Sequence, residues 1–336
     1  MNIAIVGATG NVGRKIIEVL ESKNFAISEL YLIASSKSSG QKINFKGKEH
    51  TVIDLEKFDF SKVKITFFAA GSAVAEKWAH KVAENSIVID NSKFFRKDPD
   101  IPLIVPEVNS KELVHVKNKN IISNANCSVI PLVVALKPLH DLYVVRRIVA
   151  STYQSVSGAG KAPMDELLSQ TQDYFNNKNL QSEHFTKQIA FNIIPHIDSF
   201  LENGYTKEEQ KTSDEVKKIL DKKIKITSTC VRIPVLVSHS ISANIEFDKK
   251  CNLEEIKNVL SSSPGCKVVD ENKDGGYMTP VEAENKYETF ISRIRKDDSQ
   301  SNTINLWIVS DNLLKGAALN AVEIAEGLIK KNLHER

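Results

Sequence analysis

Cys127 is the residue in this sequence best placed to act as a nucleophile. It follows a short apolar run (120–123) that predicts a buried strand, and it precedes a segment of helical spacing in which Pro131 falls near the first turn. A thiol at such a turn lies beside main-chain N–H groups that have no intrahelical partner. These groups lower a thiol pKa and can stabilise an oxyanion. The alternative is a small apolar residue that fills a gap, as most free cysteines do.

Other polar candidates lie further along the chain. Gln154 ends a predicted strand, and the glycine-rich turn that follows, with Ser157 and Gly158, could approach a cofactor. Arg232 and His239 are separated by a proline, so their spacing alone does not place them on one face. Among the eight histidines, only His239 lies beside other polar candidates at a strand junction. It is a candidate base, although a single histidine is more often a structural hydrogen-bonding residue.

A glycine-rich turn follows the first predicted strand, residues 2–6, and precedes a segment of helical spacing (12–20). In this context Gly7 permits the tight turn, Gly10 lets the backbone approach a pyrophosphate, and Gly13 lets helix and strand pack closely. Tight strand-to-helix turns also occur without ligands. The position at the start of the chain favours dinucleotide binding.

The second predicted strand (30–34) ends in a loop that contains Ser35, Lys37 and Ser38. An acidic residue usually binds the ribose at this point when the cofactor lacks a 2′-phosphate. Hydroxyls and a cation suit a 2′-phosphate, and no carboxylate is present to repel it. We therefore predict NADP rather than NAD, with a plain serine-rich loop as the alternative.

Alternating strands and helices in the N-terminal half predict a doubly wound parallel sheet of the Rossmann type, in an α/β protein. The further strands are expected at 64–68, 86–89 and 103–105, with a helix at 72–84. Ligands of such sheets bind outside the carboxyl ends of the strands. Arg96, in a polar loop after one of these ends, is a candidate anion clamp.

The C-terminal half has a different pattern. Apolar and polar residues alternate over 240–247, which predicts a half-buried strand in a largely antiparallel sheet with one face in water or covered by a partner. The last helical segment (313–328) follows a strand directly and could return to the first domain. Further strands are predicted at 147–154, 224–235 and 304–308, and further helices at 207–220 and 253–260.

The composition predicts hydrophobic cores and no nucleic-acid or membrane partner. The chain has 336 residues, 41% of them hydrophobic and 26% charged, and a net charge of +3. This length allows two domains, the charge is too small to favour nucleic acid, and no apolar run reaches the ~20 residues that cross a bilayer. The chain begins directly with a predicted strand, without a signal peptide. The four cysteines form no CxxC pair, so we expect no metal site, no disulfides and a cytoplasmic location.

Six segments together resemble the aspartate-semialdehyde dehydrogenase family, and they occur in order across essentially the whole chain. The resemblance implies a two-domain, usually dimeric enzyme that uses NADPH to reduce aspartyl β-phosphate to aspartate semialdehyde and phosphate, on the route to lysine, threonine and methionine. It implies an NADP-binding domain at 1–126, completed by a C-terminal helix at 312–331, and an α+β catalytic and dimerisation domain at 127–311. The segments are GATGNVG (7–13), NCS (126–128), YQSVSGAG (153–160), CVR (230–232), HS (239–240) and SDNLLKGAA (310–318).

The resemblance also implies roles for individual residues. Cys127 matches the nucleophile, His239 the acid/base, Gln154 the residue that positions the acyl group, and Arg232 the residue that grips the α-carboxylate. The remaining implied substrate contacts are Arg96 and Lys211 at the phosphate, Glu208 near the amine, and Asn126. The implied cofactor contacts are Gly7, Thr9, Gly10, Asn11, Val12, Ser35, Lys37, Ser38, Ser157, Gly158 and Asn312.

The implied chemistry is consistent with these residue types. A thiolate attacks the acyl phosphate and gives a thioester, because sulfur is both a strong nucleophile and a good leaving group. The chain departs from the family at two positions. Lys37 stands where the family often has arginine. A lysine cannot bind a phosphate in the bidentate way that an arginine does, so the expected NADP preference is looser. Ala125 stands where a proline commonly precedes the Asn-Cys pair.

Three alternatives remain open at this stage. The nearest is an enzyme of the same chemistry on another acyl phosphate, such as N-acetyl-γ-glutamyl-phosphate reductase, for which the surroundings of Arg232 and Glu208 are not expected. The second is a catalytically inactive NADP-binding or sensing protein, against which Cys127, Gln154, Arg232 and His239 argue together. The third is a purely structural dimer module, which the glycine turn disfavours.

Overall fold

The computed structural model describes residues 1–334 and divides into two compact units. The first unit contains residues 1–125 and the chain from Ala317 onward, and the second unit contains residues Asn126–Gly316. In the described part of the chain, no helix is both long enough and apolar enough to cross a membrane.

The strands and helices are numbered here in chain order. The strands are β1 (Asn2–Val6), β2 (Glu29–Ala34), β3 (Lys42–Phe45), β4 (Lys48–Thr51), β5 (Ile53–Asp54), β6 (Ile65–Phe68), β7 (Ile87–Asp90), β8 (Leu103–Ile104), β9 (Ile121–Asn124), β10 (Val145–Gln154), β11 (Lys225–Arg232), β12 (His239–Phe247), β13 (Cys266–Val268), β14 (Thr289–Lys296) and β15 (Thr303–Ser310). The helices are α1 (Asn11–Ser22), α2 (Ser72–Ala83), α3 (Pro106–Asn109), α4 (Val129–Tyr143), α5 (Lys161–Phe175), α6 (Lys207–Ile219), α7 (Leu253–Ser262), α8 (Pro280–Ala283) and α9 (Asn320–Lys330).

The first unit is built on a seven-stranded parallel sheet in the order β5-β2-β1-β6-β7-β9-β8. Its strands β6, β7 and β9 are buried along their whole length, because helices cover both faces of such a sheet. This confirms the predicted doubly wound α/β domain. Sequence patterning did not predict the β3–β4 hairpin, which forms a separate small sheet.

The C-terminal helix of the first unit is not continuous. We predicted one helix over 313–328, whereas the structure has a π-helical segment at Leu314–Leu319 and an α-helix only from Asn320. α9 then packs on α1, α3 and β7. Both segments are rich in alanine and leucine, so the spacing of apolar residues does not distinguish the wider π-helical turn from the α-helical turn.

The second unit contains a six-stranded sheet in the order β11-β10-β12-β15-β14-β13. The three central pairings are antiparallel and the two outer pairings, β11–β10 and β14–β13, are parallel. The predicted antiparallel character is confirmed, and the sheet is mixed at its edges. The alternation over β12 is also confirmed, because Ile241, Ala243 and Ile245 are buried while the residues between them are half-exposed. Helices α4, α6 and α7 cover one face.

Candidate active site

Four strand ends meet at one end of the second unit's sheet. Gln154 and Arg232 are register partners at the carboxyl ends of the parallel strands β10 and β11. Because β12 runs antiparallel to β10, its first residue, His239, lies at this same end. β15 is antiparallel to β12, and its last residue, Ser310, pairs with His239. Side chains from sequence positions 154 to 310 are therefore brought together by strand direction alone.

Cys127 lies directly against His239. Its Sγ is 3.3 Å from His239 Nε2, which is a hydrogen-bonding distance for sulfur. Cys127 is half-buried, whereas His239 is only 1% exposed. Gly316 packs against the cysteine so closely that a Cβ added there would lie 3.0 Å from Cys127 Cβ. The thiol is therefore held between a histidine and a glycine rather than filling a gap in the core.

His239 is a neutral imidazole in this setting. Burial, together with the Arg232 charge, lowers its pKa from 6.5 to about 3, although the Glu208 carboxylate acts in the opposite direction. The main-chain N–H of Ser155 donates to Nδ1 over 3.1 Å. In the tautomer that this contact favours, Nε2 carries the hydrogen and points at Cys127 Sγ.

The predicted open N–H groups beside Cys127 are not open. The main-chain N–H of Ser128 donates to Asn126 Oδ1 at 2.8 Å, and those of Val129 and Ile130 donate to the Asn126 carbonyl at 2.9 and 3.0 Å. The first turn of α4 is thus capped by Asn126. The prediction that these amides are donors for an oxyanion was wrong, because the residue before the nucleophile already uses them.

Buried carboxylates of α6 hold the loop that carries Cys127. Glu215 Oε2 accepts the main-chain N–H of Asn126 at 2.7 Å, and Glu208 Oε1 accepts from Asn126 Nδ2 at 2.9 Å. Both glutamates are largely buried, at 3% and 6% exposure. The capping box of Thr206 and Glu209 fixes where α6 begins and hence where these side chains point.

Removal of the Glu215 carboxylate is expected to slow the reaction without unfolding the protein. Glu215→Ala leaves the Asn126 N–H without this acceptor, which costs about 1–3 kcal/mol. If that cost falls on the geometry of Cys127, kcat drops by about 10–100-fold. Glu215→Gln, which retains an oxygen acceptor, is the matched control and is expected to keep most of the activity. An unchanged kcat in folded Glu215→Ala contradicts this role.

Lys211 sits on the same helix face and is ion-paired. Its Nζ is 2.8 Å from Glu208 Oε2 and 2.7 Å from Asp198 Oδ2. Burial alone lowers a lysine pKa, but the two carboxylates outweigh it and raise the pKa of Lys211. Lys211 is therefore a charged ammonium with one hydrogen beyond these two contacts.

Arg232 and Gln154 border the same space. Arg232 is 6% exposed, and its Nη1 donates to the Ser155 carbonyl at 2.6 Å. Burial lowers the pKa of Arg232, but a guanidinium remains charged at neutral pH. Gln154 Nε2 donates to Thr152 Oγ1 at 3.2 Å and reaches Glu208 Oε1 at 3.4 Å. A Cβ at Gly158 would lie 3.1 Å from both Arg232 Nη1 and His239 Nε2. The glycine keeps room beside these two groups.

Asn312 joins the glycine-rich turn to the strand ends. Its Oδ1 accepts from the hydroxyls of Ser155 and Ser157 at 3.1 and 3.2 Å and from the Ser238 N–H at 2.8 Å. Its Nδ2 donates to Ser157 Oγ at 3.0 Å. All four residues are at most 3% exposed. This network fixes the turn at 155–158 next to His239.

The glycine turn of the first unit follows β1, as predicted. Gly7 has φ +87°, and a Cβ there would meet the Ala69 carbonyl oxygen at 2.5 Å, so only glycine fits. A Cβ at Gly13 would lie 2.1 Å from the Gly7 carbonyl oxygen. Gly10 is the N-cap of α1 and provides no side-chain cap, and its neighbours Thr9, Asn11 and Val12 are half-exposed. The main-chain N–H groups at the N-terminus of α1 are therefore placed to bind a pyrophosphate.

The loop after β2 lies at the same edge of the sheet as the glycine turn, because β1 and β2 are parallel neighbours. Ser35 and Lys37 are exposed and Ser38 is half-exposed. Arg96 lies in the loop after β7, where its Nε donates to the Asn124 carbonyl at 2.9 Å and its Nη2 to the Asn91 carbonyl at 3.1 Å. These contacts hold the guanidinium at the carboxyl edge of the first unit's sheet.

The predicted residues are thus distributed over the two units. The second unit brings together Asn126, Cys127, Gln154, Ser157, Gly158, Glu208, Lys211, Arg232, His239 and Asn312. The first unit holds Gly7, Thr9, Gly10, Asn11, Val12, Ser35, Lys37, Ser38 and Arg96. Among residues 1–334, no cluster of three or more His, Cys, Asp or Glu side chains is arranged to hold a metal ion.

Sequence reasoning missed two residues of this site, Ser155 and Glu215. Ser155 lies inside the motif that contains Gln154 and Ser157, but nothing in the motif separates its hydroxyl from the others. Glu215 carried a usable signal, since it lies seven residues after Glu208 and therefore on the same buried helix face. A carboxylate at a buried helical position indicates a specific partner.

Two family models match the chain. The model described as "Semialdehyde dehydrogenase, NAD binding domain" matches residues 2–116, and "Semialdehyde dehydrogenase, dimerisation domain" matches residues 136–315. The aspartate-semialdehyde dehydrogenase of Aquifex aeolicus is 48% identical over 335 residues, which cover 98% of each chain. The chain belongs to the aspartate-semialdehyde dehydrogenase family.

Solved structures of the family share the whole fold. The crystal structure of aspartate semialdehyde dehydrogenase II from Vibrio cholerae has a TM-score of 0.96 and 45% identity, with 98% of each chain covered. A structure of the Vibrio cholerae enzyme described as complexed with ASA matches with the same TM-score and 44% identity. The resemblance carried by the six sequence segments is therefore confirmed over nearly the full length.

Proposed function

We propose that the chain is an NADPH-dependent enzyme that reduces L-aspartyl 4-phosphate to L-aspartate 4-semialdehyde and phosphate through a thioester on Cys127. The observation that carries this proposal is the 3.3 Å contact between Cys127 Sγ and His239 Nε2, at the sheet end where Gln154 and Arg232 also lie. A nucleophile beside a proton-transfer group and a buried cation is the arrangement that acyl transfer requires.

In the proposed first step, the Cys127 thiolate attacks the acyl carbon and the C–O bond to phosphate breaks. The products are a thioester and inorganic phosphate. A bound nicotinamide supplies the hydride that reduces this thioester. His239 then donates its Nε2 proton to the Cys127 sulfur as the tetrahedral carbon–sulfur bond breaks and the aldehyde leaves, which regenerates Cys127 as a thiol. Gln154 positions the acyl group during both steps.

The substrate's charged groups have matching partners in the second unit. Arg232 is proposed to grip the α-carboxylate, because a guanidinium binds a carboxylate through two parallel hydrogen bonds. Glu208 is proposed to bind the amine and Lys211 the phosphate, and Asn126 holds Glu208 in place through its 2.9 Å contact. Arg96 in the first unit is proposed as a further phosphate contact.

The residues of the first unit fit a dinucleotide. Gly10 caps α1 without a side chain, so a pyrophosphate can approach the helix N-terminus alongside Thr9, Asn11 and Val12. Ser35, Lys37 and Ser38 are accessible to a 2′-phosphate, with no carboxylate at 35–38 to repel it. We propose NADP as the cofactor, with Ser157, Gly158 and Asn312 as its contacts in the second unit.

The test is phosphate-dependent reduction of NADP⁺ in the presence of aspartate semialdehyde. We expect turnover that requires phosphate, and weaker turnover with NAD⁺ because NAD⁺ lacks the 2′-phosphate that Lys37, Ser35 and Ser38 are proposed to bind. N-Acetylglutamate semialdehyde is the matched control substrate, and its acetylated amine lacks the charge that Glu208 is proposed to bind. Turnover with this substrate but not with aspartate semialdehyde contradicts the proposal.

We propose that domain 1–126 with the C-terminal helix binds NADP and that domain 127–311 is catalytic and forms a homodimer, in agreement with the description of its family model. Analytical ultracentrifugation measures the dimer directly. None of the four cysteines, which all lie in the described part of the chain, forms a disulfide, which supports the proposed cytoplasmic location. The proposed reaction serves lysine, threonine and methionine synthesis.

A further inference from the structure

Ser155 contacts the ring of His239 through two different groups. Its main-chain N–H donates to Nδ1 at 3.1 Å, and its Oγ lies 3.0 Å from the same nitrogen. Ser155 is completely buried, and its carbonyl also accepts from Arg232 Nη1. One residue therefore borders the side of the imidazole that faces away from Cys127.

The two groups have different capacities. A main-chain N–H can only donate, so it suits a ring whose Nδ1 has a lone pair, and it opposes a ring whose Nδ1 carries hydrogen. A hydroxyl can donate or accept. Ser155 Oγ also has an acceptor of its own, Asn312 Oδ1, at 3.1 Å. The hydroxyl can therefore accept from Nδ1–H while its own hydrogen points to Asn312.

We propose that Ser155 is a positioning residue whose hydroxyl accepts the Nδ1–H of His239 in the tautomer whose bare Nε2 takes the proton of Cys127, and still accepts it in the imidazolium that results. In the other neutral tautomer Nε2 carries the only ring hydrogen, the Ser155 N–H donates to Nδ1, and the ring cannot take that proton. The transferred proton moves between Cys127 Sγ and His239 Nε2, Nδ1 keeps its hydrogen throughout the transfer, and no covalent bond of Ser155 forms or breaks. By accepting the Nδ1–H, the serine favours the tautomer that can act as the base.

The need for such a residue follows from the surroundings of His239. The groups that act on its charge are Arg232 from β11, Glu208 from α6 and Cys127 before α4. Burial and Arg232 both oppose a protonated ring, whereas Glu208, a backbone hydrogen bond of Ser238 and a Cys127 thiolate favour it. An acceptor for the second N–H therefore adds to the groups that stabilise a transient imidazolium.

The direct test is the pH dependence of Cys127 alkylation by iodoacetamide, which needs neither substrate nor cofactor. In Ser155→Ala the protonated ring loses the serine hydroxyl as an acceptor while the main-chain N–H donor still faces Nδ1, so we expect the midpoint of the profile to rise by about one pH unit, or tenfold less reactive thiolate at a fixed pH. Ser155→Thr, which keeps the hydroxyl, is expected to restore the wild-type profile. A folded Ser155→Ala protein with an unchanged profile overturns the proposal.

Ser240→Ala is the matched control for this profile. It removes another buried hydroxyl, on the residue that follows His239 in β12, and this hydroxyl is not hydrogen-bonded to the ring. We expect its alkylation profile to match the wild type, and a shift equal to that of Ser155→Ala would show that loss of any nearby buried hydroxyl is sufficient, which also overturns the proposal.

The consequence for catalysis rests on the proposed function and is measured separately. In semialdehyde oxidation, Ser155→Ala is expected to lower kcat by about tenfold with little change in KM, and Ser155→Thr to restore it. If the wild type does not oxidise aspartate semialdehyde, the proposed function fails while the alkylation profiles still decide the role of Ser155. A Ser155→Ala protein with a shifted profile but unchanged kcat overturns the catalytic consequence.

Discussion

Cys127→Ser is expected to reduce semialdehyde oxidation by on the order of 10⁴–10⁶-fold. A serine hydroxyl beside a neutral His239 is not ionised, and an oxygen ester is a poorer intermediate than a thioester for both hydride and phosphate attack. The measurement is kcat in the phosphate-dependent assay, with NADP⁺ binding followed by fluorescence or calorimetry. Binding is expected to remain, because the proposed pyrophosphate and 2′-phosphate contacts lie in the first unit.

The control for this substitution is another cysteine. Cys251 is a half-buried free thiol in the loop before α7, and Cys251→Ser is expected to retain wild-type activity. Cys230 is a less suitable control, because it is completely buried and lies two residues before Arg232 on β11. Substantial turnover by Cys127→Ser is incompatible with a thioester at this position.

Replacement of His239 by glutamine is expected to lower kcat by about 10²–10⁴-fold, the usual contribution of a general acid–base group. The glutamine amide can still donate towards Cys127 Sγ but cannot carry a proton in transit. Steady-state kinetics over a range of pH test this, and KM is expected to change much less than kcat. A loss that appears mainly in KM means that His239 contacts substrate without proton transfer.

The same variant tests the buried neutral state of His239. The folded-state pKa of about 3 lies below the unfolded value of 6.5, so the unfolded chain binds the extra proton between these two values. This contribution to stability is therefore complete above pH 6.5 and is lost as the pH falls towards 3. Urea denaturation at pH 7 and pH 4.5 is expected to show a smaller stability difference in His239→Gln than in the wild type.

The parts of the fold that sequence patterning predicted are those with a strong period. α6 and α7 begin at the predicted residues, 207 and 253, and the glycine turn lies between β1 and α1 as expected. α5 was not predicted because two of its four buried residues, Glu166 and Gln170, are polar, so no apolar stripe marks the helix. Strand β11 ends at Arg232 although the apolar run continues to 235.

The catalytic pair was predicted and its supports were not, for a physical reason. Cys127 and His239 are residue types that chemistry selects, and motifs mark them. The contact between the Asn126 N–H and Glu215 joins residues 89 positions apart, and hydrogen bonds of this kind have no periodic signature in a sequence. The prediction for the amides of the α4 turn failed because two of them donate to the Asn126 main-chain carbonyl and one to its side chain, and neither contact is marked by residue type or spacing.

The position of α9 has a consequence for how the chain folds during synthesis. α9 packs on α1, α3 and β7, yet it is translated only after the whole of residues 126–316. At ordinary translation rates this interval is about 10–40 s. Throughout it, the surface of the parallel sheet unit that receives α9 is uncovered on the ribosome. The second unit, which is continuous in sequence, can complete its own sheet first.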